Sequence, residues 1–174
     1  MILQFRMLSD ENDNFVRDFE VNYDMSLYDF HQFILESLDY ENCMASFFTA
    51  DDHWERLREF TSLDMGGDAG NTTPMDKVLL GQIVAHDCDR LIYQFDTFTQ
   101  RAYYLKLTGF KKPEVRFEYP RVAFENAPAP DQFDPDAIGP DEGSIFDEMM
   151  GDFDDFGGED SFNYDSDYDY NDEY

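Results

Sequence analysis

The chain has 174 residues, 42% of them apolar and 17% aromatic, and a formal net charge of −28. That much apolar material can build a core without metal or disulfide, and two cysteines with no short-range pairing motif argue against a secreted disulfide scaffold. Phosphate backbones repel so acidic a chain, which argues against general DNA binding, and no apolar run approaches the ~20 residues that cross a bilayer.

Residues 1–8 alternate apolar with polar positions and predict a strand. The run from Asp10 to Asn14 is turn chemistry, and Phe15 to Val21 resumes a strand with Phe15, Arg17, Phe19 and Val21 on one face. Ser26 is a good helix N-cap with Asp29 three residues on, and Leu27, Phe30, Ile34 and Leu38 recur at helical spacing, predicting an amphipathic helix over 27–38. Strands are expected at 44–48 and 54–60, a loop at 61–73, and a short helix at 74–83 weakened by Gly81. Two more strands, 91–96 and 101–107, flank a turn at 97–100, and a last edge strand is expected at 115–119 between Pro113 and Pro120.

Pro128, Pro130, Pro135 and Pro140 mark the exit from the domain. The N-terminus lacks a basic start and a continuous apolar stretch, so no signal peptide is expected and the cytoplasm is the expected location. The expectation is an α+β domain over 1–125, its sheet small and mixed or antiparallel and packed on one main helix, with an acidic disordered tail over 126–174.

Charge is unevenly spread. Residues 131–174 hold 17 acids and no Lys or Arg, whereas 101–121 hold Arg101, Lys106, Lys111, Lys112, Arg116 and Arg121 against Glu114 and Glu118. Lys106 and Arg116 alternate out of phase with their apolar neighbours, placing both toward solvent near Tyr104. Arg101, Tyr104, Lys106, Lys111, Lys112 and Arg116 are therefore the candidate anion-docking or tail-docking face. The tail carries apolar anchors, Ile145, Phe146, Met149, Met150, Phe153 and Phe156, among its acids, a pattern suited to a segment that docks on a partner protein.

Other constellations carry little chemistry. Cys43, His53, His86 and Cys88 are zinc-ligand types without zinc-ribbon spacing. His31 has no nucleophile or acid at a compelling spacing and reads as a helix-surface histidine bonded to a neighbouring turn. Asp165 to Asp169 mimics the start of a calcium loop, but its sixth position is Tyr170 and the chain ends before the twelfth. No cofactor is expected.

Met25-Ser26-Leu27-Tyr28-Asp29-Phe30-His31 opening the helix, Phe47-Phe48 before an Asp-rich turn and Trp54, Leu79-Leu80, and Tyr93-Gln94-Phe95-Asp96 resemble the plasmid Ri ORF-3-like family, also met as insertion-element passenger proteins, over about residues 1–110. The resemblance implies an open ubiquitin-like, β-grasp-like sheet on a helix and implies no reaction. Typical members follow the Asp with a Gly-Asp turn and then a Trp and a His; here Thr97 to Tyr104 replaces them, marking a divergent member. The functional expectation is a non-enzymatic interaction scaffold whose tail docks a partner or shields a basic face. The alternatives are weak RNA or DNA binding through 101–121 in a mobile-element context, and an enzyme with an unrecognised site.

Overall fold

Leu3, Phe5 and Met7 lie on one side of the first strand, β1 (Ile2–Ser9), and are buried, while Arg6 and Leu8 on the other side are exposed. Successive strand side chains point to opposite faces, so this alternation decides which face meets the core. Asn12 shapes the turn by accepting from the Asn14 amide at 3.1 Å, and β2 (Val16–Asn22) returns antiparallel with Phe19 opposite Phe5. The structure, a computed structural model, describes residues 1–63, 72–84 and 88–133.

Helix α1 (Leu27–Leu38) begins and ends where its periodicity predicts. Ser26 Oγ accepts from the Asp29 amide at 3.0 Å, which satisfies one of the orphan donors of the first turn, and the Asp29 carboxylate suits the positive end of the helix. Its stripe of Leu27, Phe30, Ile34 and Leu38 packs into the core with Phe5, Phe19 and Phe47 from three strands.

The remaining strands are β3 (Ser46–Ala50), β4 (Arg56–Thr61), β5 (Thr72–Pro74), β6 (Arg90–Gln94), β7 (Ala102–Lys111) and β8 (Arg121–Asn126). The sheet is larger than the small one expected: eight strands in the order β5-β4-β3-β6-β7-β1-β2-β8, antiparallel except for the parallel pair β4–β5. It grows because the ten-residue β7 pairs along the whole of β1, and β8 then adds to the open side of β2. The predicted helix at 74–83 is divided into a 3₁₀ turn (Met75–Lys77) and α2 (Leu80–Val84). Gly81 has a steric reason: a Cβ there would stand 2.2 Å from the Tyr23 ring.

The strand expected at 115–119 is instead a loop with Val115 fully exposed. Glu114 draws Lys111 (3.1 Å) and Arg116 (2.8 Å) to itself, and its amide donates to Tyr119 Oη at 3.2 Å, folding the segment back on itself. The last described strand, β8, follows Pro120.

The compact body runs Met1–Gln132, past Pro128 and Pro130, the first two of the prolines read as an exit. Arg17 Nη1 donates to the carbonyls of Asn126 (3.1 Å) and Ala127 (2.9 Å), and Arg101 donates to those of Asp131 (2.6 Å) and Gln132 (2.8 Å). Tyr40 Oη donates to the Pro130 carbonyl, and Gln132 exchanges two hydrogen bonds with the Glu41 backbone. A strap held through its carbonyls tolerates proline, which lacks only the N–H. The tail anchors Ile145, Phe146, Met149, Met150, Phe153 and Phe156 lie outside the described residues.

Candidate functional site

The two helices bury Leu27, Phe30, Leu80 and Ile83 in the main core on one side of the sheet. Among the described residues the other side carries no helix, and strand register dictates what it displays. Leu91, Leu105 and Met7 pair across β6, β7 and β1 on the core side, so the residues one step away pair on the open side. These are Arg90, Lys106 and Arg6, in one row across three adjacent strands. Ala50 and Arg56 continue the row on one flank, and Asp18 followed by Phe124 continues it on the other. The next row on the same side is Phe48, Ile92, Tyr104 and Leu8.

Trp54, the only tryptophan, folds over this second row, its ring 5.3 Å from Tyr104 and edge-on to it. A left-handed backbone (φ 63°) at Trp54 turns the side chain onto the open face. Arg90 lies over the Trp54 ring at 5.6 Å and Arg56 over Phe48 at 4.5 Å. Ala50, Ile92 and Ala102 form a small buried floor beneath these half-buried aromatics.

Like charges directly opposite one another destabilise a sheet. Asp18 makes two hydrogen bonds to Arg6, both 2.8 Å, and Asp52 pairs with Arg90. Lys106, between them and exposed, has no carboxylate within ion-pair distance among the described residues. The described acids thus leave a lysine uncompensated between two arginines.

The face expected from residues 101–121 does not form as a unit. Tyr104 and Lys106 belong to the open sheet face. Arg101 is held by Glu11 through two 2.8 Å hydrogen bonds and by the strap carbonyls. Lys111 and Arg121 clasp the buried Glu20 at 2.8 and 2.7 Å, while Arg116 sits on Glu114 and Lys112 is exposed beside it in the sequence. Burial works to raise the Glu20 pKa, but hydrogen bonds from Lys111 and Arg121 overcome it and hold the carboxyl below its usual range. Arg6, Arg56, Arg90 and Trp54 come from outside the expected stretch.

His31 is not on the helix surface as expected. It is 1% exposed, its Nδ1 is 2.8 Å from the hydroxyl of the fully buried Tyr93, and desolvation pushes its pKa down to about 4. It borders a pocket of about 230 Å³ with Tyr28, Asn42, Cys43 and Ser62. A larger cleft of about 730 Å³ is lined by Phe60, Val78 and Ile83 together with Arg58, Asp51 and Asp89.

Cys43 and Cys88 are free thiols, and His86 lies outside the described residues. Among the described residues no three of His, Cys, Asp and Glu are grouped to hold a metal, and no helix is long and apolar enough to cross a membrane.

Residues 2–134 match the family model described as plasmid pRiA4b ORF-3-like protein. The chain belongs to this family. In fold it is similar to the crystal structure of MM3350, a protein of unknown function from Methanosarcina mazei Go1, with a TM-score of 0.62 at 16% identity, covering 92% of this chain and 90% of that one. No curated protein matches the chain. The family match reaches through β8 and the strap, farther than the motifs that suggested the resemblance. Asp96, which ends the matching Tyr93–Asp96 run, shapes the turn that follows it by accepting from the amides of Phe98 (2.9 Å) and Thr99 (3.2 Å).

Proposed function

We propose that this family member is a non-enzymatic interaction module whose open sheet face binds an acidic, aromatic-containing segment, the chain's own tail being the segment at hand. The observation that carries this reading is the in-register row Arg90–Lys106–Arg6 beside the Phe48–Tyr104–Trp54 aromatics. An occupant that brings carboxylates to the first row and apolar rings to the second relieves the cross-strand repulsion and covers the half-buried rings. Residues 131–174 offer that composition, with 17 acids around Phe146, Phe153 and Phe156. Tethering raises the effective concentration of such a segment to roughly millimolar, enough to shield the face from other anions. The reading places the module in a reducing cytoplasm, and we describe the β1–β2–α1–β3 order of its body as β-grasp-like.

Trp54 reports directly on this face. Its emission in the full chain at low salt is expected to differ from that of a chain ending at Phe133, and the difference should vanish at about 1 M salt, where the screening length falls to about 3 Å. Superimposable spectra at low salt would refute tail docking. If the shortened chain responds to single-stranded RNA but not to the added tail peptide, nucleic-acid binding replaces this reading.

The substitution Lys106→Glu sharpens the test, because it gives Arg6 and Arg90 a carboxylate neighbour. Stability is expected to rise by about 0.5 kcal/mol while the salt-dependent emission difference is lost. A gain of stability together with a loss of binding is the signature of a residue kept for its partner.

A further inference from the structure

His31 and the small pocket beside it lie on the helix side and play no part in the interaction proposed above. The Tyr93 hydroxyl is buried and has no hydrogen-bond partner but His31 Nδ1 among the described residues. Its proton therefore goes to Nδ1, because the reverse assignment leaves a buried phenolic O–H without an acceptor. A neutral imidazole that accepts at Nδ1 carries its own proton on Nε2. No described residue accepts from Nε2, although the side chain is almost wholly buried and borders the pocket.

The neighbouring groups have the same bias. Ser62 Oγ already accepts from the Ala45 amide at 3.0 Å, and Asn42 Oδ1 accepts from Gln32 at 3.4 Å. Ser62 and Asn42 each keep donors free to offer, an O–H and an NH₂, while one acceptor site on each oxygen is already used. Tyr28, Cys43, Met44 and Leu63 complete the lining, so no described lining residue carries a charge while the thiol stays protonated, and burial pushes the Cys43 thiol up. An uncharged pocket rich in donors selects an acceptor, and without a cation on a chain of net charge −28 it disfavours an anion. Its volume of about 230 Å³ falls below the ~300 Å³ at which drug-sized sites begin, so the occupant is a fragment of a few heavy atoms.

We propose that this pocket binds an uncharged amide carbonyl, whose oxygen accepts from His31 Nε2–H with Ser62 and Asn42 as flanking donors. The amide comes either from a small free compound or from a peptide backbone inserted edge-on.

The test uses the full chain, isotope-labelled, with the His31 ring resonances followed at neutral pH as N-methylacetamide, N-acetylglycine N-methylamide or acetate is added. A saturable shift at His31 Nε2 with the amides, reaching half its span at millimolar concentration, and little with acetate, is the expected result. A stronger response to the longer amide assigns the natural source to a peptide backbone, and a stronger response to the shorter one to a free amide. Asn42→Asp, at an exposed position, replaces a donor by an acceptor and should weaken the amide response at least fivefold. Tyr93→Phe should do likewise by releasing the ring to take the other tautomer, provided the amide spectrum stays dispersed. No saturable shift, an equal response to acetate, or an undiminished response in Asn42→Asp would overturn the proposal.

Discussion

Truncating Phe30 to alanine is expected to cost about 3–5 kcal/mol, whereas Phe98→Ala should change stability by less than about 0.5 kcal/mol. Phe30 is fully buried, stacked on Phe47 with ring centroids 5.7 Å apart and planes within 5°, and it meets Phe19 edge-on at 6.1 Å. It also touches Phe5 at 5.7 Å, so its ring joins α1 to β1, β2 and β3 at once. The hydrogen-bonded strands hold those partners apart, and the cavity left by truncation cannot close. Phe98, by contrast, is 97% exposed at the tip of the β6–β7 turn. Urea unfolding of the two variants is the measurement: the midpoint should fall sharply for Phe30→Ala at an unchanged slope and stay put for Phe98→Ala. Equal midpoints would mean that α1 is not the element that closes the core.

The elements legible in the sequence are those whose periodicity runs unbroken and whose ends carry local chemistry. Ser26, Asp29 and the Leu27–Leu38 stripe suffice for α1, and alternation suffices for the β1–β2 and β6–β7 hairpins. Illegible were β5 and β8, which are strands because a neighbouring edge is open. Thr72–Pro74 has three residues and pairs parallel with β4, while β8 offers only half-buried Val122 and exposed Phe124 between prolines. Val115 to Tyr119 alternates better than β8, yet the Glu114 clasp on Lys111 and Arg116 turns it into a loop. Periodicity reports fitness for a strand; an available edge decides whether one forms.

The candidate face was half legible for a related reason. Tyr104 and Lys106 follow from alternation against Leu105 and Leu107, but Arg101, Lys111, Arg116 and Arg121 are taken up by Glu11, Glu20 and Glu114. Arg6 and Arg90 meet Lys106 through register alone, which no stretch of local charge reveals. Trp54 read as the start of a strand, and only its positive φ brings it over the sheet. His31 did carry a signal: it stands four residues from both Leu27 and Leu35, two buried positions, and so belongs to the inward side of α1.

Acidifying the protein should expose what that buried histidine costs. Its ring lies against Tyr93 from β6 and Tyr28 from its own helix and shares the pocket with Cys43 from the segment before β3, so no described carboxylate on the pocket side compensates a proton there. The folded pKa of about 4 is below the unfolded value of about 6.5, so below pH 6.5 the unfolded chain takes up a proton that the native state refuses. The stability linked to neutral His31 is therefore fully present above pH 6.5 and is lost as the pH falls toward 4. Between pH 7 and pH 5 the loss is about 2 kcal/mol, from 1.36 kcal/mol per pH unit below 6.5. Comparison with His31→Gln separates this from carboxylate titration, which both proteins share. The glutamine variant starts less stable, and its deficit relative to the parent should shrink by about 2 kcal/mol between pH 7 and pH 5 in urea unfolding at fixed salt. A deficit that stays constant would place a proton on His31 in the native state already at pH 5, and with it would go the neutral Nε2–H donor on which recognition of an amide in the neighbouring pocket depends.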